Sequence, residues 1–420
     1  MKKNSRIRTV EDIVKWRLCV GCGACAYICP ENKISLHNNL DEGIRPLLKN
    51  TECGTCSDCL DVCPGYQITH PRHEYERKKD NYWIAKSWGP LIDVWEGYAA
   101  DSQIRFQGSS AGLVTALALF CLEKMHMSGV VHIGSDPDVP WQNKTYFSKS
   151  REEILSRTGS RYSPASPCEL LGSIESASAP SVFIGKPCDI SALRKTALKN
   201  KLLAEKIGCA IGIFCAGTPS TNATLELLRK NSINPSDVSR LRYRGLGWPG
   251  NFTVWTDGKD SSCLAMPYMK AWGFLQQFRT YRCYLCPDAT SEFADISCGD
   301  PWYRENKSDN EGFSLVCTRN NNGQTIINNA IRDGYIVMEK VSPKLLVDSQ
   351  KGMPHKRGSI WGRIIVMRTF NIPVPELKGF SFFYNWIKLP IQSKLKSIFG
   401  TIRRVITRKY YRPQKVTKVK

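Results

Sequence analysis

No stretch of the 420-residue sequence reaches the ~18 uninterrupted apolar residues that a membrane-spanning helix requires. The longest candidate, Ala111 to Leu122, is too short. The first fourteen residues carry Lys and Arg but no apolar h-region. No signal peptide is therefore expected, and the expected compartment is the reducing cytoplasm. No P-loop is present and no dinucleotide fingerprint is recognised, which disfavours a phosphoryl-transfer ATPase and a Rossmann nucleotide site. No recognised motif supports a nucleic-acid partner, so none is expected. The six His form no evident catalytic pair, and no separate acid–base residue stands out, leaving catalytic residues unassigned. Disorder is excluded by composition: 42% of residues are hydrophobic and only 23% charged, enough to bury a sizeable core.

Cysteine and positive charge are abundant. The chain has 18 Cys and a formal net charge of +21. In a reducing compartment such a chain is read as metal-binding rather than disulfide-stapled. Residues 19–30 read CVGCGACAYICP and residues 53–64 read CGTCSDCLDVCP. Both follow C-x2-C-x2-C-x3-C-P, the bacterial ferredoxin run, in which the fourth Cys ligates the other of two 4Fe-4S clusters. The spacing assigns Cys19, Cys22, Cys25 and Cys63 to one cluster, and Cys53, Cys56, Cys59 and Cys29 to the other. Gly21, Gly23 and Gly54 are expected to let the backbone approach the inorganic sulfides. Each fourth Cys is expected to start a helix leading away, its Pro making a turn. Zinc sites usually show Cys pairs rather than triplets plus a distant Cys-Pro.

Of the other ten cysteines, Cys121 and Cys209 lie in apolar runs and read as inert core residues. Cys283 and Cys286 form a C-x2-C pair before Pro287. Cys188 follows the strand-like run Ser181 to Ile184, and Cys215 follows the run Ala210 to Phe214. By spacing alone these four either close a third cluster or are unrelated.

Residues 1–75 read as a two-cluster ferredoxin-type domain, and about 70–90 as a charged, aromatic connector. From about 90 to 345 short apolar strand-like runs, such as Val130 to Ile133, alternate with helical stretches at Leu113 to Lys124 and Ala223 to Arg229. That alternation predicts an α+β or mixed α/β fold, divided here at 88–172 and 173–345. Residues 346–420 form a basic extension. From Lys378 to Lys420 there are 12 Lys/Arg and no Asp or Glu. Within it Ile391, Leu395, Ile398, Phe399, Ile402, Val405 and Ile406 fall on one helical face, with Lys394, Lys396, Arg403, Arg404 and Arg408 off that stripe. Such a helix suits peripheral contact with an anionic membrane surface; the alternative is a helix packed on the protein with its basic face in water.

Residues 107–117 read QGSSAGLVTAL, where Gly and Ser lead into an apolar helix. Helix-start N–H groups there suit a phosphate, although Ser109 or Ser110 could equally be a plain N-cap. The Gly-rich loops at 159–162 (GSRY) and 244–250 (RGLGWPG) combine cations with aromatics and suit an anionic planar cofactor, or are simply turns.

Together these segments resemble the beta-subunit family of coenzyme F420 hydrogenase and dehydrogenase. The matching stretches are Asp101 to Arg105 with GSSAGLVTAL, GSRY, IGKPCDISALR at 184–194, FCAGTPS at 214–220, RYRGLGWPGNF at 242–252 and CYLCPDATSEFADISCGDPW at 283–302. The resemblance covers about residues 85–345. It implies an iron–sulfur flavoprotein with FAD, in which Cys188, Cys215, Cys283 and Cys286 hold a third 4Fe-4S cluster. It also implies that Ser109, Ser110, Gly112, Thr115, Ser160, Tyr162 and Lys186 lie near FAD, while Asp295 and Asp300 shape their loop. One departure is Ala111, where the family often has Gly; its methyl group bears on how closely a phosphate approaches.

The expected function is oxidoreduction. Electrons pass singly from a ferredoxin or other redox protein through the clusters, and FAD exchanges them in pairs with a small-molecule substrate. That substrate is a coenzyme F420-type deazaflavin or a family variant. The competing readings are a non-catalytic electron-transfer subunit and a redox accessory protein of cell-surface polysaccharide biosynthesis.

Overall fold

The protein is described here as a computed structural model covering residues 6–49, 53, 56–70, 82–256, 261–304 and 311–416. Gly54 and the connector residues 71–81 lie outside the described residues. The strands in chain order are β1 (Ile34–Asn39), β2 (Gly43–Leu48), β3 (Gln67–Thr69), β4 (Asp93–Ala99), β5 (Val130–Ser135), β6 (Asn143–Ser148), β7 (Ser181–Gly185) and β8 (Ile207–Ile213). They continue with β9 (Val238–Arg242), β10 (Asn251–Thr256), β11 (Leu264–Pro267), β12 (Ile296–Gly299), β13 (Ser314–Thr318), β14 (Ile336–Val341) and β15 (Glu376–Lys378).

Eight strands form one sheet in the order β14-β4-β13-β12-β8-β7-β5-β6. Its centre, β12-β8-β7-β5, is parallel, and both flanks are antiparallel. The central strands are near-continuous apolar runs because both their faces are covered. The helix Leu113–Glu123 has apolar residues almost all round, and seven of its eleven residues are buried against that sheet. Cys121 and Cys209 are both fully buried in this core, as expected. The mixed α/β reading therefore holds, and one sheet runs through both sequence-defined segments, 88–172 and 173–345. A second sheet, β11-β10-β9, is antiparallel and carries its own core of Leu241, Tyr243, Phe252 and Val254.

The N-terminal segment carries the β1–β2 hairpin and two short helices, Ala24–Ile28 and Asp58–Asp61. Cys29 caps the C-terminal end of the first, and Cys63 follows the second. The fourth Cys thus ends a helix rather than starting one, because the prolines after Cys29 and Cys63 cannot donate the N–H that another turn would need. The glycines also act differently from the expectation. Gly21 and Gly23 both have positive φ, and a Cβ on Gly23 would sit 2.9 Å from the Glu169 backbone nitrogen. The space that their side chains would fill is taken by β2 and the 166–169 segment.

A short helix, Tyr82–Trp88, stands where the charge and aromatic content predicted only a connector; its Ile84 and Trp88 are buried against the main domain. The C-terminal extension is fastened to the N-terminal segment. β15 pairs in parallel with β3, Gln414 N–H donates to the Lys15 carbonyl at 3.0 Å, and Arg17 donates to the Arg412 carbonyl at 3.0 Å. Met367, Val405 and Tyr410 share a core with Val10, Ile13, Leu18 and Cys19.

Candidate functional site

The parallel strands deliver the candidate ligands at their carboxyl ends, where open α/β sheets place ligands. β7 ends at Gly185, and Lys186 and Cys188 follow at once. β8 ends at Ile213, two residues before Cys215. β12 ends at Gly299, and Asp300 is next. Pro187 opens the helix Pro187–Lys199 at a position where no backbone donor is needed, and Asp189 accepts from the Lys186 N–H at 3.0 Å. This fixes Cys188 in the first helical turn.

Cys188, Cys215, Cys283 and Cys286 line one cavity. Its walls include Lys186, Lys356, Arg282 and Asp288, and also Val20 and Gly21 from the loop between Cys19 and Cys22. Burial pushes the Cys215 thiol up to about 12. Burial followed by the charge of Asp189 raises Cys188 well above its usual value. Burial opposes charge on Lys186, yet its 2.6 Å contact with Asp189 and the nearby Cys188 and Cys215 raise it overall. Such thiols ionise only when positive charge is supplied, which is what a bound iron cluster and the flanking lysines provide. Backbone Thr218 N–H points at Cys283 Sγ at 3.4 Å, a contact of the kind that tunes a cluster's potential.

The N-terminal thiols crowd one another. Burial raises Cys25 well above its usual value, and Cys22, Cys19, Cys63 and Cys59 add to the shift. Burial raises Cys59 to about 11, with Cys53, Cys56 and Cys29 nearby. Cys63 lies near Cys22 and Cys19, and Cys29 near Cys59, the neighbours that the crossed assignment needs, although Cys25 also lies near Cys59. Among the described residues no group of three or more His, Cys, Asp or Glu is arranged to hold a single metal ion.

The phosphate-loop candidates form a second locus. Ser110, Ala111 and Gly112 all have positive φ (47°, 55° and 68°), a turn leading into the helix Leu113–Glu123. A Cβ on Gly112 would sit 2.2 Å from the Ile104 carbonyl oxygen, so this position requires glycine. Ala111 is buried, and its methyl group belongs to the core. Ser109 Oγ accepts from the Ser160 N–H at 2.8 Å, bringing the two predicted loops together. Tyr162 packs on Tyr268, Tyr243 and Trp272. Thr115 is half-buried in the first turn of the helix. Lys186 sits with the thiols rather than in this loop.

Asp300 organises the locus, as the loop-shaping reading expects. It accepts two hydrogen bonds from Arg244 (2.7 and 2.9 Å), one from Ser110 (2.7 Å) and one from Trp248 Nε1 (2.8 Å). Burial alone would raise its carboxyl, but Arg244 holds it below the usual range. Asp295 likewise braces its surroundings through Arg194 and the Ala210 N–H. Arg244 also lies over the Tyr268 ring at 4.6 Å, and Tyr268 stacks parallel to Trp302 at 6.1 Å. Arg244, Trp248, Tyr268 and Trp302 were missing from the site residues predicted from sequence. The cation and the aromatic in RGLGWPG signalled Arg244 and Trp248, and nothing in the local sequence signalled that Tyr268 and Trp302 join them. Gly245 to Gly250 spells G-x-G-x-x-G, but it joins antiparallel strands β9 and β10 rather than opening a helix, so it is no Rossmann turn.

Comparison with known proteins identifies the family. Residues 94–171 match the N-terminal part, and residues 181–344 the C-terminal part, of the family described as coenzyme F420 hydrogenase/dehydrogenase, beta subunit. Residues 18–68 match a 4Fe-4S dicluster domain. The chain is 25% identical over 340 residues to the coenzyme F420-dependent sulfite reductase of Methanocaldococcus jannaschii; the match covers 76% of this chain but only 47% of that protein. It is 27% identical over 267 residues to coenzyme F420 hydrogenase subunit beta of Methanosarcina barkeri, covering 61% of this chain and 86% of the relative. A chain of the F420-reducing [NiFe] hydrogenase complex from Methanosarcina barkeri aligns at TM-score 0.49 and 23% identity, over 65% of this chain and 94% of that one. This chain, carrying both halves of the family behind a 4Fe-4S dicluster domain, belongs to the coenzyme F420 hydrogenase/dehydrogenase beta-subunit family.

Proposed function

We propose that the chain is an iron–sulfur flavoprotein oxidoreductase that relays electrons between an external redox protein and a reducible organic substrate, a deazaflavin of the F420 type or a family variant. Residues 1–75 would act as the entry module with two 4Fe-4S clusters, and 88–172 with 173–345 as the flavoprotein body. The observation that carries the reading is the shared cavity: the loop between Cys19 and Cys22 and the four thiols Cys188, Cys215, Cys283 and Cys286 line one space. A third cluster held there would stand next to the first.

FAD, when bound, supplies the switch between one- and two-electron transfer. The Ser109–Gly112 turn and Ser160 would hold its phosphates. Tyr162 and Trp302, the latter braced by Tyr268, would offer flat apolar surface to a ring, while Arg244 adds positive charge fixed by Asp300. Tyr162 stands two residues before Pro164, which lines the thiol cavity, so the loop links the two loci. The printed names of the relatives, F420-dependent enzymes and hydrogenase or dehydrogenase subunits, support a deazaflavin and a redox-protein partner. No helix among the described residues is long and apolar enough to cross a membrane. We place the reaction on the cytoplasmic side.

The test is an anaerobic purification followed by iron and flavin counts. About 12 Fe and one FAD per chain support the reading, whereas about 8 Fe without flavin makes the chain a non-catalytic electron-transfer subunit.

A further inference from the structure

The helix Ile391–Thr407 is packed inside out. Its buried residues are Ser397, Thr401 and Val405, at 3%, 0% and 0% exposure, while Ile391 is 72% exposed, Phe399 62%, Ile406 55% and Leu395 47%. The small side chains face inward because the partner helix, Met353–Thr369, presents Gly362 there: a Cβ on Gly362 would lie 2.3 Å from Ser397 Oγ. Ser397 and Thr401 satisfy their hydroxyls on the helix's own carbonyls at 2.7 Å, so neither buried hydroxyl is left unpaired. On the helical wheel the four exposed apolar residues form a single stripe. Lys396 and Arg403 border it and are exposed. Immediately upstream, Phe383 and Ile387 are each 53% exposed.

Burying Ser and Thr while leaving Ile, Leu and Phe in water is the reverse of what a solvated surface helix does. Something apolar covers this stripe, and the charge says what kind. From Lys378 to the C-terminus no acidic residue occurs among 12 Lys/Arg. A cationic rim around an aliphatic and Phe stripe complements a bilayer with anionic headgroups, where the helix lies in the interface plane and its Lys and Arg reach the phosphates. We propose that the Ile391–Thr407 helix seats this protein on an anionic lipid surface through Ile391, Leu395, Phe399 and Ile406. The inference is independent of the redox reading.

Removing the helix is a poor test, because Val405 and Tyr410 belong to the core shared with the N-terminal module. Point substitutions on the exposed side avoid this. The intact, anaerobically purified protein should float with phosphatidylcholine/phosphatidylglycerol vesicles, not with phosphatidylcholine alone, and flotation should fall as salt rises. Leu395→Ser with Phe399→Ser should weaken flotation about tenfold or more, at unchanged iron content and thermal midpoint. Lys396→Glu with Arg403→Glu, which leaves the apolar stripe intact, should weaken it similarly. No flotation, equal flotation on both vesicle types, or unchanged flotation in the Leu395/Phe399 variant would overturn the proposal. So would self-association that the Leu395/Phe399 variant abolishes, which would assign the stripe to a second copy of the chain.

Discussion

The Cys168 backbone N–H donates to the Cys22 carbonyl at 2.9 Å, while the Cys168 thiol donates to the Asp189 carbonyl at 3.6 Å. Cys168 is fully buried and comes from the α/β body, while Cys22 is a ligand candidate in the N-terminal segment. Ser166 Oγ adds a bond to the Gly21 carbonyl at 2.8 Å. The bonds to the Cys22 and Gly21 carbonyls tie the loop between Cys19 and Cys22 to the α/β body, and Gly21 and Cys22 are both buried, so a lost donor leaves a buried carbonyl unpaired. Ser166→Ala should therefore keep the iron content and cost about 1–3 kcal/mol of stability. Iron counting with a denaturant titration of the anaerobic protein reads this directly. Unchanged stability would mean that the Ser166 bond contributes nothing net.

Iron counting separates the three proposed thiol sets. Cys25→Ala should remove about four Fe per chain and spare the rest, because each set is expected to hold one four-iron cluster. Cys286→Ala should remove a different four, leaving the entry module reducible by an external donor but unable to pass electrons inward. Full iron in either variant would show that the substituted thiol is no ligand.

The Arg244–Asp300 pair is buried and bidentate, so removing one partner strands a charge. Asp300→Asn should cost about 3–5 kcal/mol of stability and release the Ser110 turn. Its pH signature follows from the lowered carboxyl of Asp300. A carboxyl depressed in the folded state stabilises fully above its unfolded pKa of ~3.9, and that contribution is lost as pH falls through the folded value. Wild-type protein should therefore lose more stability on acidification below about pH 4 than the Asn variant does. Denaturant titrations at several pH values check it.

Much of this architecture was legible in sequence because it is written in local spacing. The two C-x2-C-x2-C-x3-C-P runs are read from spacing within each run, and the apolar runs at Val130, Ser181 and Ala210 became β5, β7 and β8 with ends shifted by a few residues. The third thiol set was ambiguous because strand order, not spacing, brings Cys188 and Cys215 together: β7 and β8 lie side by side in parallel. Arg244 and Trp248 were missed for the same reason, since Asp300 reaches them across more than fifty residues. The tail helix was readable as amphipathic, but which face is buried depends on Gly362, a residue on a different helix.

His132 gives a prediction outside the redox site. It lies on β5, buried, with Nε2 2.7 Å from Ser148 Oγ on the paired strand β6. Burial, followed by the charge of Arg157, lowers it to about 4. In the unfolded chain it titrates near 6.5, so between these values the unfolded state binds the additional proton. Its contribution is complete above about pH 6.5 and is lost as pH falls towards 4, amounting to a few kcal/mol at most. His132→Gln keeps a group able to bond Ser148 but cannot protonate in this range. Its stability should be flatter between pH 6.5 and 4 than that of the wild type, while the two proteins' slopes should coincide above pH 7. Equal slopes throughout the acid range would mean that His132 takes up its proton in the folded protein without resistance from its surroundings.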